Sequence, residues 1–332
     1  MRTPLLSVII PTHQRPHLLT HAIDSSLVAA PEGDAEVLVV PNGHDESWKT
    51  VASKYKCDHR VQWLPIRTPH ANVARNHGLN HAAGMYVRFL DDDDYFLPAS
   101  VRQIETAHAT KSEICSANID LILEDGRHLK TIKALSDTNF VSHTISVNRT
   151  TGLQFHLYDR AALGSIRFNE EINLGQDTHW THSLCQAKEW DWTAIDASAC
   201  VWMQHTGRQI SKTAGLPTHL QLQEKMLWQS IERLSEQGRL SESRCSIAAE
   251  SMWQLIHGGY FLSPSYWKSV IEKTQRRFPD SHTIIAPYNH RFAKHFSPQL
   301  LEALMIPKRW ANYGYRKFLI AIGARNFWDA SR

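Results

Sequence analysis

Four consecutive aspartates, Asp91, Asp92, Asp93 and Asp94, close a nearly apolar run over residues 86–90 and precede Tyr95-Phe96-Leu97-Pro98. Ionised carboxylates packed so closely repel one another. At the end of a buried strand each also costs free energy unless a cation offsets it. Magnesium or manganese takes oxygen ligands and would accept diphosphate oxygens as well. A solvated acidic turn with helix-capping roles is the plainer reading of an isolated acidic run. The buried strand in front of this one favours the metal. Among twenty histidines there is no His-x-x-Glu-His spacing, so most read as surface or satisfied core residues. Of the tryptophans, Trp180 and Trp202 could offer an aromatic face to a ligand, whereas Trp253 and Trp267 recur at helical spacing with Leu and Ile and read as core. Nucleotidyl transfer at the aspartates lacks support, because no glycine-rich loop with a following Lys accompanies them.

Something must hold these residues in place. Residues 5–10, 37–40, 61–64 and 86–90 are short, β-branched or aromatic and nearly continuous in apolarity, as strands covered on both faces are. Residues 16–27 set Leu18, Leu19, Ala22, Ile23 and Leu27 on one helical face behind Pro16. A second helix fits 72–83 with Gly84 as its cap, and a third follows Pro98. Such alternation predicts an α/β, mainly parallel sheet flanked by helices. Ligands bind at the carboxyl ends of such strands, and the exits here hold Pro11-Thr12-His13, Pro41-Asn42-Gly43 and the four aspartates.

Further on, 113–132 reads as a hairpin turning at Asp125-Gly126. Residues 154–158 and 192–195 read as strands, with a helix over 177–187 between them. After about residue 213 the period becomes helical over 219–237, 242–257 and 264–277. This places a boundary at 207–216, with a catalytic domain over 1–212 and a helical region over 213–332 that could serve acceptor binding, oligomerisation as a homodimer, or a membrane surface.

A net charge of +3 over 332 residues, without a basic stripe, argues against a nucleic-acid partner. Five scattered cysteines suit reduced thiols in a cytoplasmic protein. The first apolar run is too short for a signal-peptide core, and no run of about 18 apolar residues predicts a spanning helix. Lys308-Arg309-Trp310 through Tyr313, with Tyr315-Arg316-Lys317-Phe318-Leu319-Ile320, mixes basic, aromatic and apolar residues. This stretch could lie peripherally on the inner face of a membrane, or dock on its own domain with a solvated basic face.

Several of these segments fall in a familiar order. Ser7-Val8-Ile9-Ile10-Pro11-Thr12-His13-Gln14-Arg15-Pro16 resembles the opening of family 2 glycosyltransferases, which have the Rossmann-like GT-A fold. Ala74-Arg75-Asn76-His77-Gly78-Leu79 and Ala82-Ala83-Gly84-Met85-Tyr86-Val87 resemble that family's approach to its metal site. Phe89-Leu90-Asp91-Asp92-Asp93-Asp94 resembles its aspartate-any-aspartate motif. Arg167-Phe168-Asn169-Glu170 and Leu174-Gly175-Gln176-Asp177 resemble the segment that carries its catalytic base.

The resemblance implies that Asp93 coordinates the metal, that Asp91 reaches the donor ribose or the metal with Asp92 beside it, and that His205 approaches the metal or the diphosphate. Pro11, Thr12 and Arg15 would line the nucleotide pocket, Asn42 would sit near the base, and Arg75 would contact the diphosphate. Asp177 would be the general base, although it also suits a helix N-cap. Implied too are a manganese or magnesium ion, a nucleotide-sugar donor with a uridine diphosphate sugar favoured, and transfer with inversion to a glycan or lipid-linked acceptor in polysaccharide biosynthesis. Two departures stand out. Gln176 replaces a frequent Glu, and Pro41-Asn42-Gly43 lacks the frequent loop Asp, which keeps an inactive sugar-nucleotide-binding protein as the rival reading.

Overall fold

The computed structural model describes residues 3–134, 139–146, 152–204, 216–279, 281–286 and 288–321. The chain divides into two compact units, Met1–Thr144 with Asn148–Thr213, and Ile145–Val147 with Ala214–Arg332.

In the first unit β1 (Leu6–Thr12), α1 (Pro16–Leu27), β2 (Ala35–Pro41), α2 (Trp48–Ala52), β3 (Val61–Trp63), α3 (Ala71–His81) and β4 (Tyr86–Phe89) alternate as the apolar runs require. Then come β5 (Tyr95–Phe96), α4 (Ala99–Thr110), the hairpin β6 (Ile114–Leu123) and β7 (His128–Ile132), and α5 (Phe140–Thr144). β8 (His156–Asp159), α6 (Arg160–Leu163), α7 (Gln176–Ala187) and β9 (Trp192–Gln204) complete the unit. The strands form one sheet in the order β3-β2-β1-β4-β8-β6-β9-β5, with β7 pairing β6. The block β3-β2-β1-β4 is parallel, as is β6 with β9, whereas the joins through β8, β5 and β7 are antiparallel. The parallel part is therefore where the strand–helix alternation predicts it, and the later strands make the sheet mixed.

Every residue of β1 and β2 is buried. Because successive side chains point to opposite faces, the two strands feed two cores. Val8, Ile10, Val37 and Val39 join Leu19 and Ile23 of α1 on one face. On the other, Ile9, Leu38 and Val40 meet Ala74 and Leu79 of α3 with Trp180 and Leu184 of α7. Each such aliphatic side chain contributes about 1.5–3 kcal/mol on burial, so the strand ends that carry the polar residues are anchored from both sides.

Three expectations shift. Gly84 does not cap α3, which ends at His81 with Ala82 extended. Gly84 is where the chain crosses β1: a Cβ there would lie 2.5 Å from the Ser7 backbone nitrogen, so only glycine fits. The segment 154–158 is a strand only from His156, because Leu153–Phe155 forms a tight 3-10 turn. β9 runs far beyond 195, pairing with β6 as far as Gln204.

The second unit is helical: α8 (Leu216–Glu236), α9 (Glu242–Gly259), α10 (Pro264–Arg277) and α11 (Pro298–Ala321). Trp253 and Trp267 are fully buried, as their spacing among Leu and Ile predicts. No described helix is long and apolar enough to cross a membrane.

Candidate active site

The exits of β1, β2 and β4 meet. After β1 the chain turns through Gln14 in the left-handed region, φ 57°, and the turn throws Arg15 back over the aspartates. Arg15 Nη1 donates to Asp93 Oδ2 at 2.6 Å. Its Nη2 lies 2.7 Å from Asp92 Oδ1, an ion pair whose angle falls outside hydrogen-bond geometry. Thr12 Oγ1 donates to Asp92 Oδ2 at 2.7 Å. Asn42 is buried, and both its backbone N–H and its Nδ2 donate to the Thr12 carbonyl at 3.0 Å, so this side chain ties the β1 and β2 exits together.

The four aspartates diverge within one turn. Asp92 is fully buried, and burial, with Asp93 and Asp91 near, pushes its carboxyl up to about 7 against the pull of Arg15 and Thr12. Burial and the same two neighbours hold Asp94 well above the usual carboxylate range. Asp94 accepts from Gln154 Nε2 at 2.5 Å and from the Met203 amide at 2.9 Å. Carboxylate oxygens of Asp91, Asp93 and Asp94 lie within 4.8 Å of one another. An all-oxygen set of this span fits magnesium or manganese. Asp91 and Asp93 were expected in that set. Asp94 was not, and His205 lies outside the described residues.

α3 supplies the other side. Arg75, nearly buried, bonds Asp91 Oδ1 through Nη2 at 2.7 Å and Gln176 Oε1 through Nη1 at 2.8 Å. The guanidinium thus joins the acidic loop to the first residue of α7, and Gln176 serves as its neutral acceptor. Asn72 and Asn76, one helical turn apart, hold the incoming chain: Asn72 Nδ2 donates to the Asn169 carbonyl at 2.7 Å, and Asn76 exchanges two bonds with the Phe168 backbone, at 2.9 and 2.8 Å. Asp177 follows in the first turn of α7, where the helix dipole favours negative charge. The N-cap is Gly175 rather than Asp177. Burial lifts the Asp177 carboxyl to about 6, with Asp91 adding to the rise while Arg75 and the Leu153 amide oppose it.

Sequence reasoning missed Asn72, Asn76 and Gln154. The two asparagines left a faint signal, polar residues four apart on a helix that must face a core. Gln154 left none. Trp180 is a correction: it is fully buried, stacks on Phe168 at 4.0 Å and donates to the Tyr158 hydroxyl, so no sugar can reach it. Trp202 is half-buried against the α1-side core.

The solved structures similar to this chain include the S. aureus protein TarS in complex with UDP-GlcNAc, with a TM-score of 0.62 at 18% identity over 87% of each chain. Another is the mannosyltransferase PcManGT of Pyrobaculum calidifontis in complex with GDP-Man and Mn2+, with a TM-score of 0.53 at 14% identity over 92% of this chain and 88% of that one. These likenesses carry the fold, which is the GT-A type. Among curated proteins, a GalNAc(5)-diNAcBac-PP-undecaprenol beta-1,3-glucosyltransferase of Campylobacter jejuni is 29% identical over 54% of this chain and 59% of its own. The succinoglycan biosynthesis protein ExoO of Rhizobium meliloti is 26% identical over 53% of this chain and 54% of its own. The chain therefore spans a little over half the length of these relatives. The model of Glycosyl transferase family 2 matches residues 7–172, half of the sequence and every site residue described above up to Asn169. On these grounds the chain belongs to glycosyl transferase family 2.

Proposed function

We propose that the protein is a glycosyltransferase that moves a sugar from a nucleoside diphosphate donor to a hydroxyl of a glycan or lipid-linked acceptor, with inversion at the anomeric carbon. The observation that carries the reading is the Arg75 bridge. One guanidinium bonds Asp91 and Gln176, so the acidic loop and the Asp177 carboxylate share a site.

Inversion needs a single displacement. The acceptor oxygen attacks as the diphosphate leaves, and one carboxylate takes the hydroxyl proton. Asp177 is that base: a carboxyl lifted to about 6 is still ionised at neutral pH yet more basic than an exposed one. Asp91, Asp93 and Asp94 would hold the divalent cation, whose chemistry is to neutralise charge on the leaving diphosphate, and His205 remains a proposed further ligand. Arg15 and Arg75 set positive charge against the same region. Pro11, Thr12, Arg15 and Asn42 form the nucleotide side of the site, with Asp91 toward the ribose; Asp92, expected beside it, is fully buried and instead holds Thr12 and Arg15 from behind. Asn42 acts there by fixing the strand exits, since its amide is already bonded to Thr12. A uridine diphosphate sugar is the favoured donor, in keeping with the UDP-GlcNAc held by the S. aureus neighbour, whereas the archaeal neighbour holds GDP-Man. Manganese in the latter supports that metal. The free thiols suit a cytoplasmic site of action.

The test is calorimetric titration of uridine, guanosine, adenosine and cytidine diphosphates, with and without manganese, into wild type and Asp93→Ala. Metal-dependent binding of one nucleotide, lost in the variant, is expected. If no nucleotide binds in either condition, the aspartates hold no metal-bound diphosphate and the proposal fails.

A further inference from the structure

α11 has two unlike faces. Its inward face carries Glu302, which is fully buried and is the helix's one acidic residue. The Glu302 carboxylate accepts from the Tyr288 hydroxyl and pairs with His257 Nδ1 at 2.8 Å and Arg309 Nη1 at 2.9 Å. The outward face is apolar. Leu300, Leu304, Tyr315 and Phe318 are 45%, 68%, 63% and 57% exposed. Steps of four, eleven and three residues return to the same side of a helix with 3.6 residues per turn. Pro307, Ala311 and Gly314, also exposed, fill the stripe between them, and Trp310, half exposed, borders it. Just before the helix, Phe292 and Phe296 are 70% and 50% exposed. A continuous apolar surface of this kind marks an interaction site.

Charge selects the partner. Lys308 and Lys317 are exposed and flank the stripe on opposite sides, as their positions on the helical wheel require. With Glu302 buried and paired, every exposed charge on the described side chains of this helix is positive. A second copy laid stripe to stripe would bring lysine rows together with no carboxylate on the helix to receive them. An anionic lipid surface meets both demands, taking the apolar stripe into the acyl boundary and the ammonium groups at the phosphates. Interfacial aromatics such as Trp310 and Tyr315 suit the headgroup depth. The helix is not apolar enough to cross a membrane, so it would lie in the plane.

We propose that α11 docks in plane on an anionic lipid bilayer, with Leu300, Leu304, Tyr315 and Phe318 inserted and Lys308 and Lys317 on lipid phosphates. This stands apart from the transfer reaction, because lipid binding is read without turnover.

The experiment is flotation of the full chain with vesicles of phosphatidylcholine alone and of phosphatidylcholine mixed equally with phosphatidylglycerol. Wild type should float with the mixed vesicles and far less with the neutral ones. Lys308→Gln with Lys317→Gln should weaken binding about fivefold per lysine. Leu304→Glu with Phe318→Glu should abolish it, with helix content by circular dichroism unchanged because both side chains are exposed. Three results would each overturn the proposal: wild type that fails to float with the anionic vesicles, lysine variants that bind them as tightly as wild type, and a wild-type dimer in light scattering that Leu304→Glu with Phe318→Glu converts to monomer without any vesicle binding.

Discussion

Each unit of the molecule buries charge, and the two do it differently. In the second unit one carboxylate, Glu302, is matched by Arg309, His257 and the Tyr288 hydroxyl. In the first, five carboxyl groups, those of Asp91 to Asp94 and Asp177, share two guanidinium ions, Arg15 and Arg75. A matched set leaves no uncompensated buried charge and holds its elements in one register. An unmatched one is tolerated where carboxyls keep their protons, as burial favours for Asp92 and Asp94, or where a cation from outside supplies the missing charge. The surplus of negative charge, more than any single residue, distinguishes the first network as a site.

The sharpest way to break this contrast is to neutralise the proposed base. Asp177→Asn should lower the transfer rate by about 10²- to 10⁴-fold and leave nucleotide binding intact, measured by donor turnover beside calorimetry. In wild type, kcat/KM should rise with pH through about 6 as the Asp177 carboxyl loses its proton. Arg75 holds that carboxyl down, so Arg75→Met should move the acid limb to higher pH. An Asp177→Asn enzyme that turns over at wild-type rate would remove the base from the mechanism.

The matched network should respond in stability instead. Glu302→Leu leaves the Tyr288 hydroxyl buried without its acceptor and the partly covered Arg309 guanidinium with only His257 among the described residues, and about 3–5 kcal/mol is the usual cost of breaking a buried pair. Urea unfolding should show that loss in a transition of the helical unit, while manganese-dependent nucleotide binding persists. Loss of nucleotide binding with stability unchanged would mean that the two networks are not separable as argued.

How much of this was legible depended on whether the relevant contact was local. The strands β1, β2 and β4 announce themselves by continuous apolarity, because both faces are covered. Their polar exits then had only one end of the sheet to occupy. α10 begins and ends as its pattern predicts, at Pro264 and Arg277. Gly84 misled because a glycine just beyond a helical run reads as a cap, whereas its need for space comes from Ser7, far back in the chain. The sequence marks β9 only over its first residues, because Asp196 and Ser198 interrupt the pattern before the apolar run over 199–203, which reads as a separate segment. Gln154 was invisible because its partner, Asp94, lies sixty positions away and nothing near Gln154 in sequence demands a carboxylate.

A third buried charge gives the smallest and most discriminating test. Arg88 lies in β4, 1% exposed, and none of its guanidinium nitrogens has a hydrogen-bond partner among the described residues. Its Cζ sits 4.7 Å over the Phe96 ring, and burial pushes its pKa down to about 10, which still leaves it charged at neutral pH. A desolvated cation over a ring gains about 2 kcal/mol, less than the several kcal/mol that burying the ion costs. On local energetics alone, Arg88→Met should therefore raise stability, by about 1 kcal/mol in urea unfolding, with metal-dependent nucleotide binding unchanged. The contrary result would be more instructive. Arg88 stands three positions before Asp91, in the strand that leads into the aspartate loop, so a variant that keeps its stability but binds manganese more weakly would place this arginine behind the aspartates as part of their charge balance. The surplus that marks the site would then be smaller than its front face suggests.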